Sequence, residues 1–117
     1  MELTFMEEGG KFSQLADAIM TKMRLQDANL GTADLSKANL RGANLQNANL
    51  VGTKLNGADL APAGDAAGSV PTDLTGAFLS GTDFTDAQLH GTILTDAAVP
   101  TSNGVFLFSL DVGSGRN

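Results

Sequence analysis

The only histidine, His90, sits among serines, threonines and aspartates that a hydrolase could arrange into a nucleophile–base–acid relay. Such a relay needs an imidazole held between a hydroxyl and a buried carboxylate. Asp83, Asp86 and Asp96 form a second candidate group, since carboxylates are hard oxygen donors for a divalent cation. Near the end of the chain, Gly113-Ser114-Gly115 resembles a phosphate-cradling loop in composition. A phosphate cradle needs a strand before it and a helix after it, and neither pattern flanks this segment. The chain has no cysteine, which excludes a disulfide framework and a thiolate metal site and leaves the compartment open. Whether His90 or the aspartates can do chemistry depends on the elements that carry them.

Composition narrows those elements. The chain has 117 residues and is 42% hydrophobic, yet only 5% aromatic, with no Trp and no Tyr. A core built this way is narrow, because globular cores lean on large aromatic side chains. No run approaches the ~18 apolar residues of a membrane span. The opening residues carry Glu2, Glu7 and Glu8 and so lack the basic start of a signal or transit peptide. Net charge is −6 and uneven: residues 1–60 hold seven acids and six bases, for −1, and residues 61–117 hold six acids and only Arg116, for −5. Nucleic-acid binding needs clustered Lys and Arg, so a basic protein partner fits this balance better than nucleic acid or an anionic membrane.

The organising signal is a period of five. Leucine recurs at positions 25, 30, 35, 40, 45, 50, 55 and 60, with a small residue two places before each from Leu30 onward. The pattern resumes as TDLTG, AFLSG, TDFTD, AQLHG, TILTD and AAVPT, centred on Leu74, Leu79, Phe84, Leu89, Leu94 and Val99. Neither an amphipathic helix nor a flat strand has this period. Removing nine residues, Ala63–Pro71, restores perfect register between the two runs. That segment is small, Gly-rich and ends in Pro, the composition of an exposed loop.

These units resemble the pentapeptide-repeat family, whose consensus is A-(D/N)-L-x-x. The resemblance implies an all-β solenoid, a right-handed quadrilateral parallel β-helix in which four units make one coil. The central residue and the small residue two before it point inward, and the other three point outward. Inward residues then stack in four columns: Leu25, Leu45, Leu74 and Leu94; Leu30, Leu50, Leu79 and Val99; Leu35, Leu55 and Phe84; Leu40, Leu60 and Leu89. About three and a half coils at ~4.8 Å each stand ~17 Å tall. Gly42, Gly52, Gly57, Gly76, Gly81 and Gly91 take the last position of their units, where the backbone turns a corner and positive φ is easiest for glycine. The expected organisation is an N-terminal segment 1–22, a solenoid 23–101 with the insertion 63–71, and a C-terminal cap and tail 102–117. Ser13 is a good N-cap for a capping helix over roughly 14–23, where Leu15, Ile19 and Met23 recur every fourth residue. At the other end, the Asn103-Gly104 turn signal precedes Val105-Phe106-Leu107-Phe108-Ser109-Leu110, an apolar run that covers the last coil or pairs with another copy as a homodimer.

In this geometry His90 points to solvent, and Asp83 and Asp96 lie on different sides of the rod. The reading is a non-enzyme with no catalytic residue, metal or cofactor. The informative departures are outward positions that lose their polarity. Phe78, Ile93 and Ala98 stand where Asp or Asn is usual; Phe78 and Ala98 share the second side with Val51, and Ile93 adjoins it. Exposed apolar clusters often mark contact sites; the alternative is that the C-terminal run or the insertion folds over them. The leading expectation is a protein-binding or scaffold module, docking through this strip and the acidic C-terminal half. The family's abundance in cyanobacteria and thylakoid lumens implies an accessory subunit of a photosynthetic membrane complex as one version, and a location in either the cytoplasm or the thylakoid lumen. The other expectation is the family's acidic DNA mimics, which bind type II topoisomerases such as gyrase.

Overall fold

Backbone pairing in the computed structural model, which describes residues 14–64 and 68–97, follows the five-residue period throughout. Gln14 pairs in parallel with Asp34, Asp34 with Lys54, and Lys54 with Asp83, and three sister series begin at Ile19, Arg24 and Asn29. The step along each series is twenty residues, the length of four five-residue units. Across the insertion it becomes twenty-nine, as from Asn44 to Asp73 or Asn49 to Phe78. The nine extra residues therefore leave the ladder and return without shifting its register. The result is a β-solenoid.

The same bonds recur in each unit. At Leu50, the central N–H donates to Phe78 O of the next turn at 2.9 Å, and Gly52 N–H donates to Ser80 O at 2.8 Å. Asn49 N–H reaches back to Ala28 O at 2.8 Å, and Thr53 N–H closes the corner onto Leu50 O at 3.0 Å. Central leucines from Leu25 to Leu79 are fully buried, as are the alanines two places before them. Where threonine replaces alanine inside, its hydroxyl finds a carbonyl: Thr53 Oγ1 donates to Leu30 O at 2.7 Å, and Thr82 Oγ1 to Leu50 O at 2.6 Å. Buried hydroxyls need such partners.

The last position of the unit has φ near +60° to +75° in every described case but one, whether the residue is Gly52, Thr32, Lys37 or Asp86. The exception is Pro62, whose ring locks φ near −65°. This corner cannot form, and the chain departs from the ladder there. Ala63 and Val70 then pair in an antiparallel bridge, with N–H···O distances of 2.8 Å both ways. Gly64, Gly68, Ser69, Val70 and Pro71 are exposed, as expected of this segment, while its base is anchored to the rod. Ala61 and Ala63 are buried, Arg41 donates to Pro62 O through Nε and Nη2 at 3.1 and 2.9 Å, and Thr72 Oγ1 accepts from Gly42 N at 2.8 Å.

The expected capping helix over 14–23 is not present. Gln14 and Ile19 are bridge residues, Leu15 N–H donates to Asp34 O at 2.7 Å, and Met20 N–H donates to Asn39 O at 2.7 Å. Asp17 and Lys22 take φ of 64° and 59°, which no α-helix contains. The fourfold spacing of Leu15, Ile19 and Met23 competes with a fivefold one, Leu15–Met20–Leu25, and the ladder settles it. Met20 is buried and Ile19 is 81% exposed. Residues 14–22 thus continue the solenoid's ladder, which runs from Gln14 among the described residues and not from residue 23. Three of the four series run through four levels. The expected C-terminal cap, Val99 and Ala98 lie outside the described residues.

Candidate interaction surface

Outward positions divide into four strips, one per series. The residue before each central leucine has a fixed local task when it is Asn or Asp. Its Oδ1 accepts the backbone N–H two residues on, as in Asn29 to Gly31, Asp34 to Ser36, Asn39 to Arg41, Asn49 to Val51 and Asp83 to Thr85, at 2.9 to 3.2 Å. This is the Asx turn, in which a short side chain mimics a backbone carbonyl. These carboxylates and amides are occupied in shaping corners.

That occupation is visible in their ionisation. The Ser36 hydroxyl and N–H hold Asp34 below the ordinary 3.8, and Thr85 does the same for Asp83. Partial burial pushes Asp73 upward, but the Thr75 hydroxyl and N–H and the Gln46 amide outweigh it, and the net shift is downward. Asp86 and Asp96 occupy positive-φ corners on different strips and are exposed, as is His90. Among the described residues no three His, Cys, Asp or Glu gather into a metal-binding group. The Gly113–Gly115 segment lies outside them.

Three strips carry charge. The first has Arg24, Asp27, Asp73 and Asp96; the third has Asp17, Asp34, Lys37, Lys54, Asp83 and Asp86; the fourth has Lys22, Arg41 and Asp59. The second consists of Asn29, Gly31 and Thr32, then Asn49, Val51 and Gly52, then Phe78, Ser80 and Gly81. It holds no charged residue among those described. Phe78 is 51% exposed and Val51 42%, on adjacent turns. Below Phe78, Asn49 Nδ2 donates to Asn29 Oδ1 at 3.1 Å, so the amides are spent on one another. The surface is neutral and made mostly of small residues, with one half-exposed aromatic ring.

A family model for pentapeptide repeats matches the chain in eight copies over residues 24–60 and 72–97. The chain belongs to the pentapeptide-repeat family. The gap in the match falls on the hairpin that starts at Pro62. A pentapeptide repeat protein of the Arabidopsis thaliana thylakoid lumen is 22% identical with a TM-score of 0.42, over 83% of this chain and 72% of that one. The pentapeptide repeat protein Rfr23 of the cyanobacterium Cyanothece is 30% identical with a TM-score of 0.34, over 76% and 51%. HetL of the cyanobacterium Nostoc, involved in heterocyst differentiation regulation, is 24% identical with a TM-score of 0.30, over 81% and 56%. This pentapeptide-repeat chain spans about half the length of the two cyanobacterial proteins. Comparison with curated proteins found no match.

Of the four residues singled out in the sequence, the structure brings Phe78 and Val51 onto one strip. Ile93 is half-buried on the neighbouring first strip, paired with Asp73, and Ala98 lies outside the described residues. Sequence reasoning missed Ile19, the most exposed large apolar side chain among the described residues, because its spacing from Leu15 and Met23 fits a helix. Running the five-residue frame back from Leu25 places Ile19 at the outward position before Met20. The neutrality of the second strip was also missed; it shows only when three separated units are laid over one another.

Proposed function

We propose that this solenoid is a right-handed four-sided rod acting as a non-catalytic protein-interaction module, with the second strip as its docking surface. The observation that carries this reading is the conjunction of charge-free composition and a half-exposed Phe78 on a chain of net charge −6. Binding energy concentrates in a few apolar or aromatic anchors ringed by more polar residues. Phe78 and Val51 supply the anchor, Ile93 lies at its margin, and Asp73 and Asp96 on the first strip supply an acidic rim suited to a partner with basic residues around an apolar centre. An accessory subunit of a photosynthetic membrane complex is the concrete form we put forward, on the family's abundance in cyanobacteria and thylakoid lumens.

Affinity capture from the source organism tests the surface. Phe78→Asp installs the residue type that makes the Asx turn in neighbouring units, so it is expected to retain the β-rich circular dichroism spectrum. It should lose a partner that the wild-type chain and a His90→Ala control both capture. A partner retained by Phe78→Asp and by Val51→Asp removes the second strip from consideration.

A further inference from the structure

We infer that the apolar C-terminal segment of this same chain, Val105–Leu110, docks on the second strip across Phe78 and Val51, as an intramolecular occupant that a partner must displace. Charge gives the first argument. Asp96 and Asp111 bracket a run, residues 97–110, that contains no charged side chain. The second strip is the one strip without charge among the described residues. Laying the run on any other strip desolvates an aspartate, lysine or arginine with no counter-charge to meet it, which is costly. On the second strip it meets Asn29, Thr32, Asn49, Ser80 and glycines around the two apolar anchors.

Reach gives the second. The described chain ends at Ala97, in sequence immediately before the second series would gain its next level. From there to Val105 are seven residues, which span up to about 23 Å. Phe78 lies only one ladder step of ~4.8 Å away from that level. The intervening Asn103-Gly104 is a strong turn signal, which suits a chain that must double back. Area gives the third. Three levels at ~4.8 Å by one five-residue unit make a strip of roughly 200 Å². A stable interface with a second folded protein needs ~800 Å² per partner, so the strip alone suits an extended segment.

The docking stands by itself; only the displacement by a partner rests on the proposed function. The chain has no Trp and no Tyr, so Phe106→Trp gives a single fluorophore in the full-length protein. The emission of Phe106→Trp is expected to be blue-shifted from its position in denaturant, at a wavelength independent of protein concentration. Adding Phe78→Asp, or Val51→Asp, should return it to the denatured position while circular dichroism shows the solenoid intact. Phe108→Trp serves as a second reporter in case the first substitution disturbs the contact. Solvent-exposed emission from both reporters overturns the inference. So does shielded emission that neither Phe78→Asp nor Val51→Asp moves, which places the segment elsewhere on the rod. Shielding that grows with concentration overturns it too, by assigning the contact to a second copy. None of these outcomes bears on capture of a partner, so the two readings fail separately.

Discussion

Pro62 makes a test in which one substitution changes sign with its context. In the intact chain Pro62 sits at the mouth of the hairpin with no positive φ, and its carbonyl accepts both Arg41 donors. Deleting residues 63–71 joins Pro62 to Thr72 in perfect repeat register and asks it to form the corner that Gly57 and Gly76 form at φ of 72°. Proline cannot take that φ. It also lacks the N–H that would continue the series Gly52 to Ser80 O and Gly57 to Thr85 O, leaving His90 O without its donor. The corner should cost about 3 kcal/mol for the misplaced proline and about 1 kcal/mol for the missing bond. Glycine removes both penalties. Pro62→Gly is therefore expected to stabilise the deleted chain by ~3–4 kcal/mol, roughly 12–30 °C in Tm for a domain of this size. In the full-length chain the same substitution should destabilise by ~0.4–1 kcal/mol, because it only loosens the unfolded state. Thermal melts of the four chains by circular dichroism give both signs. Equal Tm values for the two deleted chains would refute the corner argument, as would Pro62→Gly raising the Tm of the full-length protein.

Other perturbations read the same geometry. Ala48→Leu overpacks a fully buried position and should lose ~1–3 kcal/mol, while Gln46→Leu on the outside should lose less than half as much in the same denaturant titration. Thr53→Val keeps the volume but removes the hydroxyl donor to Leu30 O, at a cost of about 1 kcal/mol in urea unfolding. Gly91→Ala should lower Tm, since a Cβ there meets Pro62 Cγ at 2.9 Å and the residue keeps φ of 75°. On acidification, Asp34, Asp73 and Asp83 have folded pKa values below the unfolded 3.8, so their stabilisation is complete above that value and is lost as pH falls through the folded ones. Tm should be flat from pH 7 to about pH 5 and fall below about pH 4, with a smaller fall in Asp73→Asn.

How far the fold could be read from the sequence is decided residue by residue. The inward leucines were legible because a period of five in a single residue type has no helical or flat-strand explanation. The first two units were not. Met20 replaces leucine, and Leu15, Ile19 and Met23 offer a helical spacing as plausible as the fivefold one. What decides is not local: Leu15 and Met20 reach Asp34 O and Asn39 O, bonds that no window of a dozen residues contains. Corner geometry was half legible. Glycine marks it at Gly52 and Gly81, but Thr32 holds the same conformation at φ of 59° despite its branched Cβ, because the pairing on either side over-determines it. Thr32 Cγ2 lies 3.2 Å from where a Cβ would sit on Gly52 directly above, so a side chain at that next corner would be crowded. Lys22 with Gly42, Lys37 with Gly57, and Asn47 with Gly76 show the same side-chain-under-glycine arrangement, whereas Asp17 lies under Lys37 and Asp27 under Asn47, so the pairing is frequent and not obligatory. The candidate surface follows the same logic. Phe78 is conspicuous in its own unit, but the absence of charge around it belongs to three units spread over fifty residues of sequence, and pairing brings them within two ladder steps of one another. In a solenoid, then, a surface is written down the columns while the chain is read along the rows, and a partner meets the columns.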